Sequence, residues 1–338
     1  MKALLRRKEL RWLWISLAAL ASGILTVWLG SFKHFQPYNY VQLALDGLRA
    51  GSIYALMAMG FVVVYSVTGI INFAQGEFVM LGAMITLTVN GWDWPLPPAL
   101  KLIVSIVAGV LLTTAVGALM ERLTIYPARR SAPVTLIIIT IGVTIILRAV
   151  ALLIWGADPH VLPAFTTLAL EDRIFRIGDV TIQAQSLWIW GTLAAILVLL
   201  YLFLQRSLIG KALRACAVNR RGAQLMGINP SRMSLLSFAL AAALGAIGGI
   251  VLGPVTRPIY DMGVMLGLRG FVAAILGGLL SVPGVVVGGL LLGVVENLAA
   301  GVTYPAFKSA VAFVILIALL LFRPQGILGG GEKPAEEA

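Results

Sequence analysis

Apolar stretches of eighteen or more residues follow one another along almost the whole chain, with only short polar segments between them. A helix rises about 1.5 Å per residue, so each such stretch is long enough to cross a hydrocarbon layer of about 30 Å. Composition agrees: 60% of the residues are hydrophobic, 12% are charged and the mean hydropathy is +0.98, whereas soluble domains carry about 25% charged residues. The fold class this predicts is an all-α polytopic membrane protein. Its spans are expected over 12–30, 41–66, 70–90, 99–120, 134–155, 186–204, 234–256, 265–280, 284–302 and 306–322. Two of these, 265–280 and 284–302, are short and glycine-broken and would also suit re-entrant half-helices, so about eight to ten crossings are expected.

Basic residues then assign sides. Segments 1–11, 121–133, 205–233 and 323–338 hold sixteen of the 25 Lys and Arg residues and fall on one side of the predicted topology. Under the positive-inside rule that side is cytoplasmic and carries both termini. The net charge of +11 is thus a topology signal facing membrane lipid, and nucleic-acid binding is not indicated. The N-terminal "MKALLRRKELRWLWISLAALASGILTVWLG" has the charged-then-apolar order of a signal peptide. Its apolar stretch exceeds the 7–15 residues typical of a cleaved signal, and it reads as an uncleaved first span. A single cysteine, Cys216, excludes an intrachain disulfide and a cysteine metal cluster. His34 and His160 have no second ligand at metal spacing.

Polar residues inside apolar runs are costly and therefore informative; a charge at mid-bilayer costs about 2.5–3.5 kcal/mol on insertion scales. The most conspicuous run is "NFAQGEF", where Asn72, Gln75 and Glu77 lie near the inner end of the third span. They either line a translocation path or act as hydrogen-bonded glue between the second and third spans. Asp46 and Arg49, at i and i+3, can pair. Arg148, late in the fifth span, is placed to snorkel outward. Glu296 and Asn297, near the outer end of the ninth span, are expected to face water. "GGLLSVPGVVVGG" joins two glycine-rich segments through Ser281 and Pro283, a second stretch that would border a cavity. Glycines repeat every four residues at 245, 249 and 253, at 284 and 288, and at 289 and 293, the spacing that lets helix backbones touch in lipid.

Two extramembrane segments have structure of their own. "RIFRIGDVTI" alternates like a small hairpin turning at Gly178-Asp179. In "QRSLIGKALRACAVNRRGAQLMGINPSRM", 205–233, Leu208, Ile209, Ala212, Leu213 and Cys216 recur at helical spacing with Lys211 and Arg214 facing away. A second short helix fits Arg220 to Met226, ended by Gly227 and Pro230. A basic amphipathic pair of this kind docks onto a cytoplasmic partner or lies on anionic lipid.

This loop resembles the coupling loop of ABC importer permeases, whose pattern is Glu-Ala-Ala, three residues, Gly. Ala223 and Gly227 fit; Arg221 stands at the Glu position, and "INP" replaces the downstream Ile-x-Leu-Pro. "GLRAGSIYALMAMGFVVVYSVTGIINFAQGEFVMLGA" at 47–83 resembles the signature of LivH-type branched-chain amino-acid permeases. "LRACAVNRRGAQLMGIN", "GFVAAILGGLLSVPGVVVGGLLLGVVE" and "RPQGILG" follow in the same order, so the similarity covers about 40–329. The resemblance implies a permease domain over 41–329, after an N-terminal tail and first span (1–40) and before a cytoplasmic tail (330–338). It implies a transport subunit, not an enzyme, in the bacterial inner membrane, passing branched-chain or other hydrophobic amino acids. Related permeases carry urea, amides or other amino acids, and the residues by themselves also suit an ion-coupled secondary transporter. Its partners would be a LivM-like second permease, two cytoplasmic ABC ATPases and a periplasmic solute-binding protein. The chain carries no G-x-x-x-x-G-K-[ST] loop, so ATP and Mg would be bound by the ATPases. Contacts to them would come from Lys211, Arg214, Arg220, Arg221, Ala223, Leu225 and Gly227.

Overall fold

A computed structural model of the chain describes residues 30–31, 34–166, 174–322 and 325–327. The expected first span at 12–30 lies almost wholly outside them, as does the 330–338 tail. In chain order the described helices are α1 (Pro37–Thr68), α2 (Gln75–Gly91), α3 (Pro98–Met120, continued by a π-turn over Glu121–Ile125), α4 (Pro133–Trp155), α5 (Ala184–Arg206), α6 (Leu208–Val218), α7 (Arg220–Leu225), α8 (Pro230–Leu252), α9 (Met262–Gly277), α10 (Val282–Val302) and α11 (Phe307–Phe322). Proline stands in the first turn of α1, α3, α4, α8 and α10, where its missing N–H leaves no helical bond unmade. Among the described residues six helices are long and apolar enough to cross a membrane: α1, α3, α4, α5, α8 and α10.

The predicted hairpin is present between α4 and α5. Strands β1 (Ile174–Ile177) and β2 (Val180–Gln183) pair antiparallel with Ile177 opposite Val180, and Gly178 takes the positive φ the turn needs. Gln42 on α1 bonds the backbone of Thr181 on β2 in both directions, and Arg49, paired with Asp46 at 3.2 Å as expected, donates to Gln183. The hairpin thus sits at the N-terminal end of α1. The α6–α7 elbow sits at the other end, against Val67.

Two expected spans change. The third is helical only from Gln75, because α1 ends at Thr68 with Gly69 at φ 70 and residues 70–74 run back into the bundle without helix. The ninth is a full 21-residue helix, so the half-helix reading does not hold for it. The eighth remains short, 16 residues beginning at Met262 after a largely non-helical connector.

The element order therefore repeats: a long helix, a connector re-entering the bundle, a short helix, then a long one. Packing repeats with it, since α8 lies on α2 and α3 as α1 lies on α9 and α10. Order and packing thus recur once along the described chain, as in transporter folds built from two repeats.

The glycine rows carry the contacts. On α10, Gly289 and Gly293 meet the α1 backbone at Ala55 and Gly51, while Gly284 and Gly288 face α9 at Gly277 and Ala273. On α8, Gly245 meets Phe78, Gly249 the Val79 backbone and Gly253 Leu162. The core is accordingly α1, α2, α8, α9 and α10. The most apolar window of α1 is 83% buried, against 11% for α4.

Candidate functional site

The α1–α2 connector places the first group of polar residues. Asn72 accepts the Ala74 N–H through Oδ1 at 3.1 Å and the Gln75 N–H through its carbonyl at 3.1 Å. Together these bonds turn the chain into α2. The Phe73 N–H donates to Thr140 on α4 at 3.2 Å. Gln75 donates to the Ala241 carbonyl at 2.9 Å and lies flush on Gly60, where any Cβ would strike its amide. Ala241 is midway along the 23-residue α8, so α2 begins near mid-depth and not at the surface.

The start of α9 meets it there. A Cβ on Gly76 would run into the Gly263 carbonyl, and one on Gly263 would lie 2.7 Å from both the Gly76 carbonyl and Glu77 Oε2. Two helix N-termini therefore converge, and the Glu77 carboxylate fills the gap between them. Each end has positive partial charge from unpaired N–H groups, which favours an anion there. Arg148 approaches from α4, its Nε 3.9 Å from Glu77 Oε1. Arg148 is the sixteenth residue of the 23-residue α4 and turns toward α2, not outward as the snorkelling expectation had it. Its neighbours on the same stripe, Thr140 and Trp155, bond Phe73 and Thr88. Beyond this stripe much of α4 is exposed apolar surface.

Asn72, Gln75 and Glu77 are 1%, 0% and 0% exposed, yet their bonding is incomplete. Among the described residues neither Glu77 oxygen has a hydrogen-bond donor, and Gln75 Oε1, Asn72 Nδ2 and Arg148 Nε also lack partners. Buried polar groups in folded proteins are seldom left so.

A second buried pair shows the contrast. Glu296, expected to face water, is fully buried and lies 2.9 Å from Arg269 Nε, because the α1–α10 backbone contact draws its helix against α9. The Arg269 guanidinium lies over the Tyr54 ring at 5.8 Å, Arg269 donates to Ser309, and Lys308 reaches Asn297. That network ties α1, α9, α10 and α11 together. The Glu77 pair is looser, at 3.9 Å against 2.9 Å.

Ser281 and Pro283 lie elsewhere. Ser281 caps α10 by accepting the Gly284 N–H at 3.1 Å, and Pro283 is exposed in the first turn. They occupy the α9–α10 turn, about 20 Å along α9 from Gly263 at 1.5 Å per residue. The structure does not bring them together with Asn72, Gln75 and Glu77.

The elbow is built by two caps, Ser207 accepting from Gly210 N at 2.8 Å and Asn219 from Gly222 N at 2.8 Å. Gly227, at φ 81, closes α7. Leu213, Cys216 and Ala223 are buried together against Val67 at the last turn of α1. Lys211, Arg214, Arg220 and Arg221 are exposed. Leu208 does not join the buried face as expected; it is 84% exposed, and Leu225 and Met226 are 88% and 82% exposed. The short α7 folds back so that its apolar tip points away from the bundle. Between elbow and bundle lies a cleft of about 180 Å³ reached by Thr68, Glu121, Arg129, Arg220 and Ser231.

Burial pushes the Cys216 thiol up, with Arg220 pulling it partly back. Thiolate is the reactive form, so maleimide labelling of this sole cysteine is expected to be slow at neutral pH in the folded protein and fast once it is denatured. Rapid labelling of the folded chain would contradict the packing of the elbow on α1.

Arg148, and Asp261 in the connector before α9 within electrostatic reach of Glu77, were not among the site candidates read from the sequence. An arginine inside an apolar run was the available signal for the first; nothing local marks the second.

Comparison with known proteins agrees with this architecture. A family model described as "Branched-chain amino acid transport system / permease component" matches residues 43–320. The high-affinity branched-chain amino acid transport system permease protein BraD of Pseudomonas aeruginosa is 36% identical over 307 residues, 87% of this chain and 97% of that protein. LivH of Escherichia coli is 34% identical over 307 residues, 87% and 96% of the two chains. A probable LivH of Methanocaldococcus jannaschii is 30% identical over 301 residues, 85% and 92%. With matches this long on a polytopic helical membrane chain, the protein belongs to the family of permease components of branched-chain amino acid transport systems.

Proposed function

We propose that this chain is the LivH-type permease subunit of an ATP-driven importer, passing branched-chain amino acids handed to it by a periplasmic solute-binding protein. The observation that carries the reading is the elbow: exposed Leu208, Leu225 and Met226 within a basic rim, on a helix pair packed against the end of α1. Large apolar side chains at such exposure are anchors for a protein partner more than for water. The partner is a cytoplasmic ATPase, one of two, which bind the ATP and Mg that this chain has no loop to hold. Lys211, Arg214, Arg220 and Arg221 surround the contact, and Ala223 and Gly227 shape it.

Force applied at the elbow has a short route inward. Val67, on which the elbow packs, precedes Asn72 by five residues and Glu77 by ten. Asn72, Gln75 and Glu77 form the gate of the path, closed in this conformation. Ser281 and Pro283 belong to its cytoplasmic rim, and the hairpin end receives the binding protein. Arg148, with about a third of its side chain exposed near mid-depth, would be costly against acyl chains. A LivM-like second permease on the open face of α4 supplies the polar surroundings it needs. The assembly resides in the bacterial inner membrane with the elbow and both termini cytoplasmic.

The test is reconstitution. The tagged chain should copurify with a second permease and an ATPase pair. In liposomes it should take up leucine, isoleucine or valine only with ATP and loaded binding protein present. Uptake driven by an ion gradient without the ATPases would overturn the reading.

A further inference from the structure

Two ion pairs lie inside this bundle, and they differ in how closely their partners meet. Arg269 and Glu296 meet at 2.9 Å, and Arg269 also donates to Ser309. Arg148 and Glu77 stand 3.9 Å apart, beyond the 2.7–2.9 Å typical of a charge-assisted hydrogen bond. Among the described residues neither the Glu77 oxygens nor Arg148 Nε has a hydrogen-bond partner; the same holds of the Glu296 oxygens and Arg269 Nε, so the distance is what sets the two pairs apart. A loose buried pair contributes little stability, and apolar replacement of such pairs is often neutral or stabilising. Its geometry suits another purpose. The pair offers an acceptor and a donor, each with unfilled capacity, at the same depth.

We propose that Glu77 and Arg148 are the two poles that receive the ammonium and the carboxylate of an α-amino acid as it passes. A zwitterion carries both charges on one carbon, so it can insert between the poles and exchange one loose ion pair for two closer ones. The converging N-termini of α2 and α9 flank the carboxylate pole and hold the electrostatic balance of the site. Met262, at the first position of α9, packs on both hydrophobic clusters that border the gate. Its flexible thioether accommodates branched side chains of differing shape. Arg148 retains its exposed third on the side of α4 that faces the second permease, so a solute passing between the two permeases can reach it. The site thus selects for opposed charges on a compact headgroup and is tolerant of the apolar remainder.

This proposal rests on the importer reading, and the test separates the two. Wild-type complex, assembled with its ATPases in liposomes, is first shown to take up leucine with ATP and loaded binding protein. Failure at that step removes the reading, and the proposal with it. The double variant Glu77→Met, Arg148→Met is then compared for melting temperature, ATPase copurification and uptake. The expected result is a complex that assembles and melts no lower than wild type, yet has a maximal leucine uptake rate at least about tenfold lower, the effect of losing charged hydrogen bonds. Half-saturation by loaded binding protein should change less than about twofold, because docking occurs at the hairpin end. A double variant transporting within about twofold of wild type would show the pair to be structural and overturn the proposal. Should the double variant not assemble, Arg148→Lys and Arg148→Gln decide: lysine should retain several times the glutamine rate, and equal rates in folded complexes would refute the role of Arg148 as the pole that receives the solute's carboxylate, and the proposal with it.

Discussion

Gly76→Val is expected to leave little folded permease in the membrane. Even a single Cβ at this position would occupy the place of the Gly263 carbonyl, at the crossing where α2 and α9 begin. The obstacle is backbone, so no side-chain rotation relieves it; overpacking of a core commonly costs about 1–3 kcal/mol, and here both helices would have to shift. That shift would also uncover the Glu77 carboxylate, which sits against Gly263 and loses the helix-end surroundings that balance its charge. The check is the yield of monodisperse protein in detergent and its melting temperature. Gly142→Val, where a Cβ meets nothing within 4 Å, is the control that should behave nearly as wild type. Equal yields for the two variants would show that the helix starts do not meet as described.

Leu225→Asp combined with Met226→Asp is expected to abolish uptake while leaving the permease inserted and folded. Both side chains are more than four-fifths exposed, so the fold loses almost nothing when they change. A charged residue in the desolvated centre of an interface, in contrast, costs about 2 kcal/mol or more per anchor, enough to lower partner occupancy at least about tenfold. Copurification of the ATPases and ATP-dependent uptake should fall together. The melting temperature of the isolated permease should stay where it is. Shortening 208–227 should give the same loss of transport. If the doubly acidic variant keeps its ATPases and its uptake, the elbow's tip is not the docking surface and lipid contact is the better account of it.

Legibility in the sequence varied with the range of the interactions involved. Apolar runs announced eight of the described helices within a few residues, six of them long and apolar enough to cross a membrane, because a helix in lipid satisfies its backbone internally, a local property. The hairpin at Gly178-Asp179 and the Asp46–Arg49 pair were readable for the same reason. The third span was overextended because Ile70 and Ile71 are apolar enough to look helical. Only the connector's bonds to α4 and the helix stop at Gly69 reveal that it is not. Glu296 was misplaced toward water because its partner, Arg269, is 27 residues away on another helix.

Sequence alone determined the membrane class, the family, the elbow and the polar character of "NFAQGEF", since each depends on residue types within a short window. What those polar residues confront was decided only by the tertiary structure. The meeting of Gly76 with Gly263, the turn of Arg148 toward Glu77 and the separate seat of Ser281 and Pro283 all depend on where distant helices cross. Those crossings follow from close backbone packing at small residues, a contact between chain segments that no local pattern of hydrophobicity encodes.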